Sequence, residues 1–271
     1  MTAADAESVS RLVTSGLDRR EARWLVEEFG SDDAALRTAS ERRLAGEPLQ
    51  YVIGHWPFRS LDLDVDARVL IPRPETEELV THALEELSRN DRATPLILDL
   101  GCGTGAIGLS LAEELMARGV RASVVAVDVS PDALTVARAN ARKHSLLAVS
   151  FVQSDWFDSL DPSLRGRIDL IVANPPYVGA EEFSILDPVL RFEPLGALVA
   201  DDDRGVAGFR DVAHIIAASS AWLSDAGARI VEHGEGQGAA ALSLARESGF
   251  ADVEDHIDLA GHPRVLVARR G

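Results

Sequence analysis

From residue 95 onward, short apolar runs alternate with stretches of helical periodicity. Residues 96–100, 123–127, 149–152, 169–173 and 228–233 read as buried strands. Between them, Ile107, Leu109, Leu111, Ala112, Leu115 and Met116 mark a helix that stops at Gly119. Ser130 and Pro131 form an N-cap and first-turn pair for a helix running to about His144. Residues 206–223 read as a helix with Val212, Ala213, Ile216 and Ala217 inward, and 238–247 as a helix ended by Gly249. Late strands are expected at 253–257 and 265–268. Strands that alternate with helices predict an α/β fold: a mostly parallel sheet of Rossmann type with helices on both faces.

The first part of the chain has a different pattern. Residues 1–46 predict a small helical domain. Val9, Leu12 and Val13 share a face that ends at Gly16. Asp18 with Glu21 predicts a capping box, stapled by Leu17 and Ala22, ahead of a stripe of Trp24, Leu25 and Phe29. Ser31 is the expected cap of a third helix bearing Leu36, Ala39 and Leu44, closed by Gly46. Residues 47–73 predict a β-hairpin linker, with strand formers Tyr51, Val52 and Ile53 and a clean alternation over 61–65. Residues 74–271 form the large domain, opened by a helix carrying Leu79, Val80, Ala83, Leu84 and Leu87. A long irregular stretch, 178–206, follows the 169–173 strand. Loops of that length in compact domains are usually lids or binding loops.

Composition narrows the class. The 271 residues are 46% hydrophobic and 26% charged, with a net charge of −17. A phosphate-backbone binder needs a basic face, so duplex DNA is not an expected partner. No apolar run has the length of a membrane span. The first ten residues are polar and acidic, unlike a secretory signal. Cys102 is the single cysteine, which forbids an internal disulfide and fits a reducing, cytoplasmic setting. A monomer is the default expectation.

Chemistry is expected at the carboxyl ends of the strands, where open α/β sheets bind ligands. Gly101-Cys102-Gly103-Thr104-Gly105 is a glycine-rich turn that lets the backbone approach a ligand. Asp128 ends the second strand, where a carboxylate can accept two ribose hydroxyls. Asp155 and Trp156 follow the third strand and suit an adenine, with a carboxylate for its amine and an apolar face for its ring. A glycine turn alone also occurs in dehydrogenases. The fourth strand is followed by Asn174-Pro175-Pro176-Tyr177. Its prolines stop the strand and hold the preceding residues extended. The Asn174 side-chain oxygen and the Pro175 carbonyl then form a rigid acceptor pair for a planar NH2 group, with the Tyr177 ring beside them. Such a turn has no role in hydride transfer, which favours S-adenosylmethionine over a nicotinamide cofactor. The bland alternative is an ordinary proline turn.

These motifs and four longer segments resemble the release-factor glutamine methyltransferases, the HemK-type family of class I S-adenosylmethionine-dependent enzymes. The segments are 46–54, 70–77, 154–157 and 191–195: Gly-Glu-Pro-Leu-Gln-Tyr-Val-Ile-Gly, Leu-Ile-Pro-Arg-Pro-Glu-Thr-Glu, Ser-Asp-Trp-Phe and Arg-Phe-Glu-Pro-Leu. The resemblance runs from about Gly46 to the end and is less distinct over the first 45 residues. It implies a seven-stranded methyltransferase domain that methylates the glutamine of the Gly-Gly-Gln loop in peptide-chain release factors. It implies cofactor contacts at Gly101 to Gly105, Asp128, Trp156 and Asn174. It also implies substrate binding by Asn174, Pro175, Pro176 and Tyr177, with Asn174, Pro175 and Tyr177 catalytic and no metal. The rivals are an amine methyltransferase acting on adenine or guanine in nucleic acid and a non-catalytic module that keeps the fold. The first would want a basic face. The second would be expected to have lost Asp128 or the Asn-Pro-Pro-Tyr turn. Arg73 either lines the substrate entrance or pairs with an acidic neighbour, and Glu232 and His233 read as structural.

Overall fold

The computed structural model describes residues 2–89, 92–258 and 260–270; the terminal residues of the expected first and last domains, Met1 and Gly271, lie outside them. Three helices open the chain: α1 (Ala3–Thr14), α2 (Arg19–Phe29) and α3 (Asp33–Leu44). Asp32 caps α3 instead of Ser31, because its Oδ1 accepts the Ala34 and Ala35 N–H groups. Asp18 caps α2, but the box is not closed: Glu21 turns away to pair with Arg43 on α3 at 3.0 Å. The next segment corrects the expected strand at Tyr51–Ile53, which is a short helix, α4 (Leu49–Ile53). Gly54 ends it at φ 90°, a left-handed position that costs glycine nothing. Leu49 and Val52 pack with Val9, Leu25, Val26, Leu36 and Ala39 in the core of the helical bundle. Burial in that core overrides the strand preference of β-branched and aromatic side chains.

The hairpin follows as β1 (His55–Phe58) and β2 (Leu61–Asp64), paired antiparallel. Trp24 of α2 meets Trp56 of β1 edge to face at 5.2 Å, which joins the bundle to the hairpin. On β2, Leu61 and Leu63 enter the main core. Asn140 ties this hairpin to the large domain. Fully buried, it accepts the Asp64 N–H and donates to the Asp64 and Thr104 carbonyls.

The large domain comprises α5 (Thr76–Arg89), β3 (Leu96–Leu100), α6 (Ala106–Ala117), β4 (Ser123–Asp128), α7 (Pro131–Lys143), β5 (Val149–Gln153), β6 (Ile168–Ala173), α8 (Ala180–Phe183), α9 (Arg210–Ala218), β7 (Leu223–Glu232), α10 (Gly238–Glu247), β8 (Asp252–Ile257) and β9 (Pro263–Arg269). The seven strands run in the order β5-β4-β3-β6-β7-β9-β8, parallel except where β9 pairs with β7 and β8. Every residue of β6 is buried, which explains the apolar run over 170–173; the buried Asp169 near its start pairs with Arg92 at 2.9 Å. One apolar cluster sits on each face of the sheet. Two expectations fail at α9. It is shorter at both ends than 206–223, spanning Arg210–Ala218, and Ile215 rather than Ala217 is buried. The chain then enters β7 early: Leu223 already pairs with Ile168, and a register shift separates that pair from Leu170 and Ala228. Among the described residues, no helix is long and apolar enough to cross a membrane.

Candidate active site

The sheet changes direction of travel at β3, flanked by β4 on one side and β6 on the other. The carboxyl ends of β3, β4, β5 and β6 are therefore neighbours, and a cavity of about 380 Å³ opens there. That volume lies within the ~300–1,000 Å³ of small-ligand sites. Gly101, Gly103, Asp128, Asp155, Trp156, Asn174 and Pro176 all line it. The remaining turn residues lie behind the wall: Cys102 is buried in the core, Thr104 is buried beneath Asn140, and Gly105 starts α6.

The glycine turn is held by its neighbour strand. The N–H groups of Gly101 and Cys102 both donate to the Val127 carbonyl at 2.8 Å. Gly101 sits at φ 72°, and a Cβ there would meet the Trp156 ring at 3.3 Å. Gly103, at φ 53°, has open space where a Cβ would stand. Asp128 is gripped at both oxygens: Oδ2 accepts the Gly103 N–H and Oδ1 the Ser130 N–H, each at 2.9 Å. Burial pushes its carboxyl above the ordinary aspartate range, and these backbone donors oppose the rise. Each oxygen keeps acceptor capacity for a hydroxyl. Trp156 adopts φ 43°, and its Nε1 donates to Asp211 at 3.3 Å, so the indole is fixed at the wall. The Asp155 carboxylate is exposed to the cavity mouth.

Asn174 stands at the end of β6. Its Nδ2 donates to Thr76 Oγ1 at 3.0 Å, and Thr76 Oγ1 donates to Glu232 Oε2 at 2.8 Å. Tyr177 donates its hydroxyl to the other oxygen, Glu232 Oε1, at 3.1 Å. Asn174 Oδ1 accepts no hydrogen bond among the described residues, and neither does the Pro175 carbonyl. The Tyr177 backbone is held too, since Gln237 Nε2 donates to its carbonyl at 2.9 Å. Tyr177 is half-buried, with Arg264 over its ring at 5.7 Å.

Several wall residues had no site role assigned from the sequence. Arg68, Val69 and Leu70 form one lip, and Pro194, Gly196, Ala197 and Val199 of the long irregular stretch form the other. Glu193 fastens the two lips together. Its Oε2 accepts the Ile71 N–H at 3.0 Å and its Oε1 pairs with Arg73 at 2.6 Å. Arg73 is thus paired with an acidic partner. Glu232, read from the sequence as structural, is the centre of the Asn174–Thr76–Tyr177 network. From the sequence, Glu193 stood out only as part of the 191–195 segment of the family resemblance and Glu232 only by its place at a strand end, and neither signal named a partner.

A family described as a methyltransferase domain matches residues 93–209, which span β3 to the start of α9. A release factor glutamine methyltransferase of Aliivibrio fischeri is 40% identical over 90% of this chain and 80% of its own. One from Salmonella typhimurium is 39% identical over 97% of this chain and 96% of its own. The chain belongs to the release factor glutamine methyltransferases. The Salmonella alignment covers nearly the whole length of both chains. Among solved structures, a methyltransferase from Pyrococcus furiosus matches 86% of this chain and 98% of its own with a TM-score of 0.55 at 15% identity. That likeness concerns the fold alone.

Proposed function

We propose that this protein transfers a methyl group from S-adenosylmethionine to the side-chain amide nitrogen of the glutamine in the Gly-Gly-Gln loop of peptide-chain release factors. One observation carries the reading: Asn174 lines a cavity suited to a nucleoside with an Oδ1 that has no partner among the described residues, and the carbonyl of the adjoining buried Pro175 has none there either. The residues present fit the cofactor. Gly101 and Gly103 leave the cavity wall bare of side chains, Asp128 suits the ribose hydroxyls, and Asp155 and Trp156 suit adenine. When bound, S-adenosylmethionine supplies a methyl group on a positively charged sulfur and leaves as S-adenosylhomocysteine.

The amide nitrogen of glutamine is a weak nucleophile because its lone pair is delocalised into the carbonyl. Asn174 Oδ1 and the Pro175 carbonyl accept its two N–H hydrogens and fix the plane of the amide. Acceptors placed this way strengthen as positive charge grows on nitrogen, so they favour the transition state over the ground state. The fixed turn also removes orientational freedom before reaction. The surplus proton leaves the nitrogen after transfer, so no general base is required of the chain. All the groups named belong to one chain, so a monomer suffices. The activity belongs in the cytoplasm, with translation termination. The net charge of −17 speaks against the nucleic-acid reading.

The test is mass spectrometry of a purified release factor incubated with the protein and S-adenosylmethionine. One added methyl on the glutamine of the Gly-Gly-Gln loop is expected. Methylation of DNA or RNA with an unmodified release factor would overturn the assignment.

A further inference from the structure

We propose that Thr76 and Glu232 are positioning residues that set which end of the Asn174 amide faces the substrate. The proposal deepens the function stated above and rests on its reading of a planar amide as substrate. An asparagine amide has two ends of nearly equal size and opposite polarity. Only the oxygen end can accept an N–H from a glutamine side chain. Turned over, Asn174 would present its own N–H groups to the substrate N–H groups, and both sides would lack an acceptor.

The chain resolves the ambiguity through donors and acceptors. An ionised Glu232 can only accept. It takes the Tyr177 hydroxyl on Oε1 and the Thr76 hydroxyl on Oε2. Thr76 has one hydrogen, and it is committed to Glu232. Its Oγ1 can then only accept from Asn174, which must offer Nδ2. Asn174 Oδ1 is left pointing away from the relay, as the acceptor at the rim. The relay is dry, with Thr76 4% and Glu232 1% exposed, so water does not substitute for either partner. It joins residues 98 and 156 apart in sequence, from the turn after β6, from α5 and from β7.

Protonation of Glu232 would undo the order. A carboxyl O–H donated to Thr76 Oγ1 frees the Thr76 hydrogen, which can then meet Asn174 Oδ1 and stabilise the reversed amide. Burial raises the pKa of Glu232 above the ordinary glutamate value, while the bonds from Thr76 and Tyr177 oppose that rise. The charged groups around it are Arg264 of β9, which favours the ionised form, and Glu75 ahead of α5, which disfavours it.

The chain has three asparagines, Asn90, Asn140 and Asn174, so selective 15N-asparagine labelling gives three side-chain NH2 pairs. The Asn174 pair is assigned by its loss in Asn174→Ala. In the wild type this pair is expected to shift as the pH is lowered through the Glu232 titration. It is expected to be displaced and indifferent to pH in Thr76→Val and Glu232→Gln, and to return to the wild-type position in Thr76→Ser. With a release factor as substrate, Thr76→Val should lose about tenfold in kcat. KM and cofactor affinity should stay within about twofold, and Thr76→Ser should recover most of the loss. The acid limb of the wild-type kcat profile should be absent in Glu232→Gln. An Asn174 pair that neither moves with pH nor responds to Thr76→Val would overturn the relay, as would wild-type kcat in Thr76→Val. If the signals behave as expected and the wild type leaves release factors unmodified, the substrate assignment fails and the relay stands. Should Thr76→Val not fold, Glu232→Gln and Thr76→Ser carry the same contrast.

Discussion

Removal of Arg73 should cost more than its exposed position implies. Glu193 is its partner, and the Glu193 side chain is only 2% exposed against 28% for Arg73. In Arg73→Ala the carboxylate remains dry, with the Ile71 N–H as its single donor. Breaking a buried pair from one side costs about 3–5 kcal/mol. The partial exposure of Arg73 places this case at the low end, about 3 kcal/mol. Glu193→Ala removes the charge instead. It strands the Ile71 N–H, at about 1–3 kcal/mol, while Arg73 keeps its contact with water, so about 2 kcal/mol is expected. The double variant has no stranded carboxylate and should cost little more than Glu193→Ala alone. The two single losses should therefore exceed the double loss by about 3 kcal/mol. Urea denaturation of the four proteins measures this through the midpoints at constant slope. Calorimetry with S-adenosylmethionine should show weaker binding in both single variants, because Glu193 fastens the lip formed by Pro194, Gly196, Ala197 and Val199. Additive single losses, or an Arg73→Ala cost below about 1 kcal/mol, would refute the argument.

Asn174→Ala should lower turnover on a release factor by about 10²–10³-fold, the range for removing one preorganised polar group, with cofactor affinity much less affected; single-turnover kinetics with calorimetry separates the two. Gly105→Ala should cost more stability than Gly103→Ala. Both positions are left-handed, but only at Gly105 would a Cβ meet Leu109, at 2.8 Å, so thermal melts should order them, with Gly103→Ala lower by only about 1 kcal/mol. Asp99 is fully buried, and burial raises its carboxyl to about 7. The folded state then holds that proton more tightly than the unfolded one, so this group's contribution to stability falls as pH rises from about 4 to about 7 and is flat above. Relative to Asp99→Asn, the wild type should lose up to about 2 kcal/mol between pH 5 and 7 in urea titrations. A constant difference between the two proteins would contradict it.

The sequence by itself determined the elements whose signals are local. The strand before Asn174 was legible because all six residues of β6 are buried, and the four leading up to Asn174 are all apolar. Ser130 and Pro131 announced α7 because capping acts within one turn. The glycine turn, Asp128, Trp156 and the Asn-Pro-Pro-Tyr turn could be placed at one edge because parallel α/β topology puts successive strand ends together. Tertiary structure alone decided the rest. Tyr51, Val52 and Ile53 form a helix because the bundle core accepts Leu49 and Val52 from a helical turn. Glu21 abandons its cap for Arg43 because α3 brings a guanidinium within reach. The chain has 44 acidic residues, and although Glu193 lies in a segment of the family resemblance and Glu232 at a strand end, nothing local names the partners of either. Each gains its role only when the fold strips its water and sets it against partners distant in the sequence, Ile71 for Glu193 and Thr76 for Glu232. A carboxylate's function depends on which donors surround it once it is dry, and that environment exists only in the folded chain.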